Sequence, residues 1–257
     1  MALYLRARDS KNRHPILGDP YAEELLARID YDFDQLRRLR GNTALIASRP
    51  RQFDIWTQHF LDRHSDGLVL HLACGLDSRP LRVRRARTSR WIDLDYPDVI
   101  ALRRRLYQLP ADVETIAASV TEADWWEHIP TTRPALVLAE GLFMYLTPTQ
   151  VSEVIDRALT HRSPGTLAFD GVAPWVVMAA RLQPSFRRAG TGFHWALSSP
   201  PALTEGRPGL TLTDDISAFS LIGQATRTLA GQTALNVLSR FPALRDAVRL
   251  VRYQLTA

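Results

Sequence analysis

The stretch "LVLHLACGLDSRPLRV", Leu68 to Val83, decides how the chain is read. Its first five residues are apolar and β-favouring apart from His71. They run directly into a small residue, a cysteine and Gly75, with Asp77 and Arg79 close behind. The pattern is that of a short buried strand that stops abruptly. A single glycine after a strand is more often a turn than a ligand contact, so the neighbouring segments have to carry the reading.

Working outward, the same pattern returns. "RWIDLD" (90–95) is a second strand candidate, ending in acid. "YPDVIALRRRLYQL" (96–109) suits a helix, with Pro97 in its first turn and Val99, Ile100, Leu102 and Leu106 apolar. "VETIAASV" (113–120) is a third strand, and "PALVLAEGLFMYL" (134–146) contains a buried fourth that stops at Glu140-Gly141. "TPTQVSEVIDRAL" (147–159) is a helix with Thr147 as N-cap and Pro148 at its first position. "GTLAFDGV" (165–172) is a fifth strand. Strands alternating with helices predict βαβ units and a parallel sheet covered on both faces. Later, "APWVVMAARL" (173–182) reads as helix, and "GLTLTDDIS" (209–217) and "AVRLVRYQLT" (247–256) read as strands that extend the sheet in antiparallel fashion. The first 65 residues offer helices only, clearest at "AEELLARI" and "RPRQFDIWTQHFLDRH", and are expected to cap one end of the sheet.

Composition bounds the function. With 257 residues, 46% of them apolar, the chain builds one sizeable core. No apolar run reaches the ~18 residues that span a bilayer. The N-terminal segment is charged throughout and lacks a signal-peptide core, so a cytoplasmic enzyme is expected, without a membrane partner. The one cysteine, Cys74, rules out an internal disulfide framework and a cysteine-rich metal site. The net charge is +5, but the basic residues are 31 Arg and a single Lys, Lys11. Such a bias points to GC-rich coding rather than to a phosphate-binding stripe. The runs at 84–87 and 103–105 lack interleaved stacking aromatics, so nucleic acid is not an expected partner.

In an open parallel sheet the ligand lies beyond the carboxyl ends of the strands. Those ends carry Gly75 after the first strand, Asp93 and Asp95 at the second, Ser119 and Val120 after the third, and Glu140 after the fourth. An acid ending the second strand suits ribose hydroxyls. One glycine stands where a dinucleotide fingerprint has three, so a pyrophosphate has no prepared nest and a nucleoside without phosphates fits better. Glu140 follows a nearly continuous apolar run, and an acid at that depth needs a partner.

"LACGLDSRPLRV", "WIDLDYPDVIALRRRL" and "ALVLAEGLFMYLTPTQV" resemble, in order and spacing, the motifs of the leucine carboxyl methyltransferase family, and above all its bacterial branch of tetracenomycin-type polyketide O-methyltransferases. "DPYAEELLARIDYDF" and "SRPRQFDIW" extend the similarity towards the N-terminus. The resemblance implies a class I, Rossmann-like α/β methyltransferase with a seven-stranded, mostly parallel sheet, and S-adenosylmethionine as cofactor. It implies that Arg49, with Arg51 as a second candidate, holds the methionine carboxylate, a role suited to the guanidinium fork. Gly75 then passes beneath the methionine part, Asp95 or Asp93 binds the ribose, Ser119 and Val120 lie near adenine, and Glu140 meets the ammonium. Ser119 departs from the acid the family tends to place there. Lys11 and His14 lie in a segment from which some members send a basic residue to the cofactor.

The expected organisation is one domain, 1–257: a helical cap over 1–65, a cofactor-binding core over 66–172, and a substrate lid with the final antiparallel strands over 173–257. The expected reaction is O-methylation of a small aromatic acceptor, a polyketide acid or phenol. Tyr145 either orients the acceptor oxygen or is a core aromatic with a satisfied hydroxyl. His194, where the family often has arginine, weakens the methyl-ester reading and introduces a base. Phe53, Trp56, Trp175 and Trp195 supply aromatic surface for a flat ligand. Asp77 and Arg79 are expected to tie the turn together, and His71 to be a packed core histidine. The competing functions are methylation of a protein C-terminus, a non-methylating cyclase that uses the cofactor, and a cofactor-binding protein.

Overall fold

The structure is a computed structural model; it describes residues 1–33, 35–36, 43–160, 164–182, 192–226 and 229–256. Helices α1 (Ala2–Ser10), α2 (Ala22–Ala27) and α3 (Thr43–Arg63) precede the sheet. Then follow β1 (Leu68–Leu72), α4 (Arg79–Arg82), β2 (Arg90–Asp95), α5 (Pro97–Leu106), β3 (Val113–Ala117), β4 (Ala135–Ala139), α6 (Pro148–Thr160), β5 (Gly165–Val172) and α7 (Pro174–Leu182). The chain closes with β6 (Leu210–Ser217), α8 (Ala218–Ala225), α9 (Leu229–Leu238), α10 (Pro242–Arg245) and β7 (Val248–Leu255).

The seven strands form one sheet in the order β3-β2-β1-β4-β5-β7-β6. The pairs among β1 to β5 are parallel, and β7 runs antiparallel to both β5 and β6. Strand order reverses between β1 and β4, which sets the ligand crevice beyond their carboxyl ends. Strands β1 and β4 are buried at every position, as a strand covered on both faces must be. Alternate residues feed two cores. Leu70, Ile92, Val137 and Phe169 join Val151, Val154 and Ile155 of α6 on one face. Val69, Trp91, Leu136, Leu138 and Leu250 join Phe53, Trp56, Phe60 and Leu61 of α3 on the other.

Two expectations are corrected. The N-terminal helices do not only close one end of the sheet, because α3 lays its aromatic stripe flat against a face. Phe53 and Trp56 are spent in that core and are unavailable to a ligand. The helices α8, α9 and α10 fill the connection between β6 and β7, where no helix was anticipated. Elsewhere the boundaries follow local chemistry. Helix α6 begins with a reciprocal cap, in which the Thr147 N–H donates to Gln150 Oε1 at 2.9 Å and the Gln150 N–H to Thr147 Oγ1 at 3.3 Å.

Candidate active site

The turn after β1 is unusual in its backbone. Ala73 has φ +49° and Gly75 has φ +52°, so two residues in three occupy the left-handed region. A Cβ at Gly75 would meet nothing within 4 Å, so glycine is required there by conformation and not by crowding from the protein. The turn is held from three sides. Arg6 Nη2 and the Tyr107 hydroxyl donate to Leu76 O at 2.6 and 2.9 Å, and Arg103 Nη1 donates to Gly75 O and Asp77 O at 3.1 and 2.7 Å. Arginines from α1 and α5 therefore fix a loop that its own sequence leaves strained.

The ends of β1, β2, β3 and β4 open on one cavity of about 400 Å³, lined in part by Ala73, Asp95, Val120, Gly141, Tyr145 and His194. Asp95 is anchored by the N–H groups of Gly75 (2.7 Å) and Tyr96 (2.8 Å). Tyr96 adds an exposed ring to the wall. Ser119 turns instead to Thr121, with hydroxyl oxygens 2.8 Å apart, while its carbonyl accepts from the Trp125 indole at 3.0 Å. Asp93 is corrected as a ribose candidate. It is fully buried, pairs with Arg103 at 2.5 Å, accepts from the Trp91 indole at 2.8 Å and lies 3.2 Å from His71 Nδ1. Burial alone would raise its pKa, but Arg103 and the hydrogen bonds hold it below the ordinary carboxylate value. His71 is a core histidine, and its Nε2 lies 3.2 Å from Arg79 Nη1. An arginine only donates, so Nε2 accepts and Nδ1–H donates to Asp93.

Glu140 and Arg49 sit beside this cavity, at the end of β4 and the start of α3. Glu140 accepts from Arg79 Nη2 at 2.6 Å and lies 3.5 Å from Arg49 Nη2. Arg49 Nη1 donates to Asp170 at 3.0 Å, and the Gly141 N–H donates to the other Asp170 oxygen at 2.5 Å. Gly141, with φ +67°, passes close enough that a Cβ there would stand 3.7 Å from Arg49 Nη2. Burial would lower the Arg49 pKa, but Asp170 and Glu140 reverse that and raise it. Arg79 is itself buried and also engages Asp54 at 2.7 Å and Asp77 at 3.1 Å, so it ties more than its own turn. Arg82 and Arg6 extend the network to Asp19. Burial pushes the Tyr145 phenol above its ordinary pKa, against the pull of Arg49.

The remaining expectations fall outside this cluster. Arg51 donates to Ile16 O at 2.7 Å and shares a separate cleft with His14. Lys11 pairs with Glu23 at 2.9 Å on the surface. Trp195 packs against Phe143 and Phe169 in the core, and the Trp175 indole donates to Ala243 O at 3.0 Å. The aromatics that line the cavity are Tyr96 and Tyr145, and the Phe193 ring backs Tyr145 edge-on at 5.2 Å. The sequence reading missed Asp170, although an acid inside the apolar "GTLAFDGV" gives the same signal that singled out Glu140.

Residues 1–159 match the model of the leucine carboxyl methyltransferase family. The chain is 41% identical, over 98% of its length and 93% of the relative's, to the tetracenomycin polyketide synthesis O-methyltransferase of Streptomyces glaucescens. The chain belongs to the leucine carboxyl methyltransferase family. It is an S-adenosylmethionine-dependent methyltransferase. A relative in Gibberella zeae, an S-adenosyl-L-methionine-dependent methyltransferase, is 34% identical over 82% of this chain and 78% of its own. The fold is shared with a solved DUF574 family protein of Streptomyces avermitilis, at TM-score 0.60 and 13% identity, covering 98% of this chain and 97% of that one.

The side chains of this methyltransferase fit its cofactor. Arg49 Nε is buried with no hydrogen-bond partner, a donor left over for a carboxylate. The linked cluster around Glu140 sets five carboxylates (Asp19, Asp54, Asp77, Glu140, Asp170) against four guanidiniums (Arg6, Arg49, Arg79, Arg82). Among the described residues this leaves one negative charge over, which suits a ligand carrying a sulfonium, an ammonium and a carboxylate, whose sum is one positive charge.

Proposed function

We propose that this methyltransferase moves a methyl group from S-adenosylmethionine to an oxygen of a small aromatic polyketide, an acid or a phenol. The observation that carries the reading is the junction of a nucleoside-sized cavity at the β1/β4 reversal with the Arg49–Glu140 pair beside Gly141. Asp95 binds the ribose, Val120 lies against the adenine with Ser119 behind it, Gly75 underlies the methionine part, Arg49 binds its carboxylate and Glu140 its ammonium. Of the acids that end β2, Asp95 alone is within reach of the cavity. The acceptor is argued from the relative in Streptomyces glaucescens and from the aromatic wall of Tyr96 and Tyr145, the latter backed by Phe193. No helix among the described residues is long and apolar enough to cross a membrane.

When bound, the cofactor supplies an electrophilic methyl group on a sulfonium that departs as a neutral thioether. The protein's task is alignment, and fixing the reacting groups can lower such a barrier by ~7–11 kcal/mol. A carboxylate acceptor, with a free pKa of about 4, is ionised already and needs only orientation. A phenol, near 10, needs its proton removed as it reacts. Tyr145, protonated and exposed at the cavity, is a donor that orients the acceptor oxygen, and His194 is the group able to take a proton.

Calorimetry with S-adenosylmethionine, followed by release of S-adenosylhomocysteine in the presence of an aromatic polyketide acid, tests the proposal. Binding with product release only when the acceptor is present is expected. Folded protein that takes up no cofactor overturns the reading, and cofactor binding without product release from any aromatic acid or phenol overturns the acceptor.

A further inference from the structure

We infer that Asp170 is a positioning residue, which aims Arg49 at the carboxylate of the cofactor's methionine part and fastens the Gly141 turn to it. The inference rests on the proposed cofactor site and extends it to a residue that touches no ligand. Asp170 lies in β5, fully buried, one strand away from the end of β4. Its two oxygens do different things. Oδ2 takes Arg49 Nη1 at 3.0 Å, and Oδ1 takes the Gly141 N–H at 2.5 Å. Glu140 lies 3.5 Å from the second terminal nitrogen of Arg49. The guanidinium plane is thereby held at both ends, and only Nε remains without a partner.

That distribution matters because a free arginine side chain samples many rotamers, while a fork fixed in place loses little entropy on binding. Arg49 reaches the site from α3, which is distant in sequence, and Gly141 sets the floor between β4 and the cavity. Asp170 joins the two, so the position of the carboxylate donor and the position of the turn are set by one group. Burying an aspartate this completely is unfavourable unless it is used, and its pKa is raised by burial despite Arg49. The carboxylate is retained where an apolar residue would pack in the same strand. Its effect is on orientation, and it acts on the amino-acid half of the ligand alone.

The test compares two ligands on wild type and Asp170→Asn. S-Adenosylhomocysteine carries the amino-acid part; 5′-methylthioadenosine shares the nucleoside and lacks it. Asparagine keeps the shape and can still accept from Gly141, but it has lost the charge that holds Arg49. Calorimetry is expected to show about a tenfold or greater loss for S-adenosylhomocysteine and an unchanged affinity for 5′-methylthioadenosine. Equal losses for both ligands, or none for either, overturn the inference, since a general loosening of the fold does not discriminate between them. Should Asp170→Asn fail to fold, Asp170→Glu carries the same test, because it keeps the charge and displaces the carboxylate by one methylene. Failure of wild type to bind S-adenosylhomocysteine would instead overturn the cofactor site itself, which keeps the two readings separable.

Discussion

Glu140 shows how one side chain can satisfy two demands. In the sequence it is an acid at the end of an apolar strand, and in the structure Arg79 and Arg49 compensate it from opposite sides. Removing it leaves Arg79 with Asp54 and Asp77, so the fold has a reserve that the ligand site lacks. Glu140→Gln and Arg49→Ala are each expected to weaken cofactor binding ten- to a hundredfold, the loss of a charge-assisted contact of about 1.5–3 kcal/mol, with a native circular-dichroism spectrum. Normal binding by both variants in calorimetry would displace the site. For His194 the outcome depends on the acceptor. With a phenol, His194→Ala is expected to lower kcat by ~10²–10⁴, a loss that shrinks as pH approaches the phenol's own pKa. With a carboxylate the same change raises KM and leaves the pH profile flat, because no proton is removed. A pH–rate series on wild type and variant separates the two, and a variant identical to wild type would remove His194 from the chemistry.

At the scale of elements, the turn from β1 to α4 concentrates the strain of the fold. Replacing Gly75 by alanine puts a Cβ on a residue at φ +52°. The left-handed conformation then costs ~1–2 kcal/mol, partly offset by ~0.4–1 kcal/mol from a less flexible unfolded chain. A net loss near 1 kcal/mol, read as a fall of about 2–4 °C in Tm, is expected, whereas Ala73→Gly, at φ +49°, should raise Tm by a similar amount because the same two effects act there with opposite sign. An equal loss for both would mean that the turn is not governed by backbone conformation. The strands were legible because apolar runs ending in Gly75, Asp95, Glu140 and Val172 are local signals, and β2 and β5 fall on the segments read for them. The partners of the charges were not legible. Whether Asp93 faces a ribose or Arg103 depends on where α5 returns along the sheet, and alternation along β2 cannot say which acid of the pair points outward. Helices α8 to α10 lacked a signal for a similar reason: they are short, and exposed Val237, Leu238, Phe241 and Leu244 interrupt the apolar face that periodicity looks for.

Across the whole molecule, the buried ion cluster links the N-terminal helices to the strand ends, and its pH response follows from the directions in which its acids are shifted. Burial would raise the pKa of Asp77, but Arg79, Arg82 and Arg6 pull it well below the ordinary value, and Arg103 lowers that of Asp93. An acid depressed in the native state stabilises the fold above its unfolded pKa, near 3.9, and that stabilisation disappears as pH falls through the native pKa. Asp170 is shifted the other way, by burial, so the native state takes up this proton before the unfolded chain does and is favoured as pH falls towards the unfolded value. The two effects act in different windows. Urea midpoints are therefore expected to hold steady or rise slightly as pH falls towards the unfolded carboxylate value near 3.9, because the native Asp170 takes up its proton before the unfolded chain does, and to fall steeply only below it, where Asp77 and Asp93 lose their advantage. Asp170→Asn should abolish the rise and keep the collapse. Because Asp93 and Arg103 are fully buried and Asp77 nearly so, 1 M salt should leave the collapse in place, since screening acts mainly on exposed charges. A loss of stability that begins above pH 5, or one that salt removes, would mean that these acids do not carry the coupling between the N-terminal helices and the site.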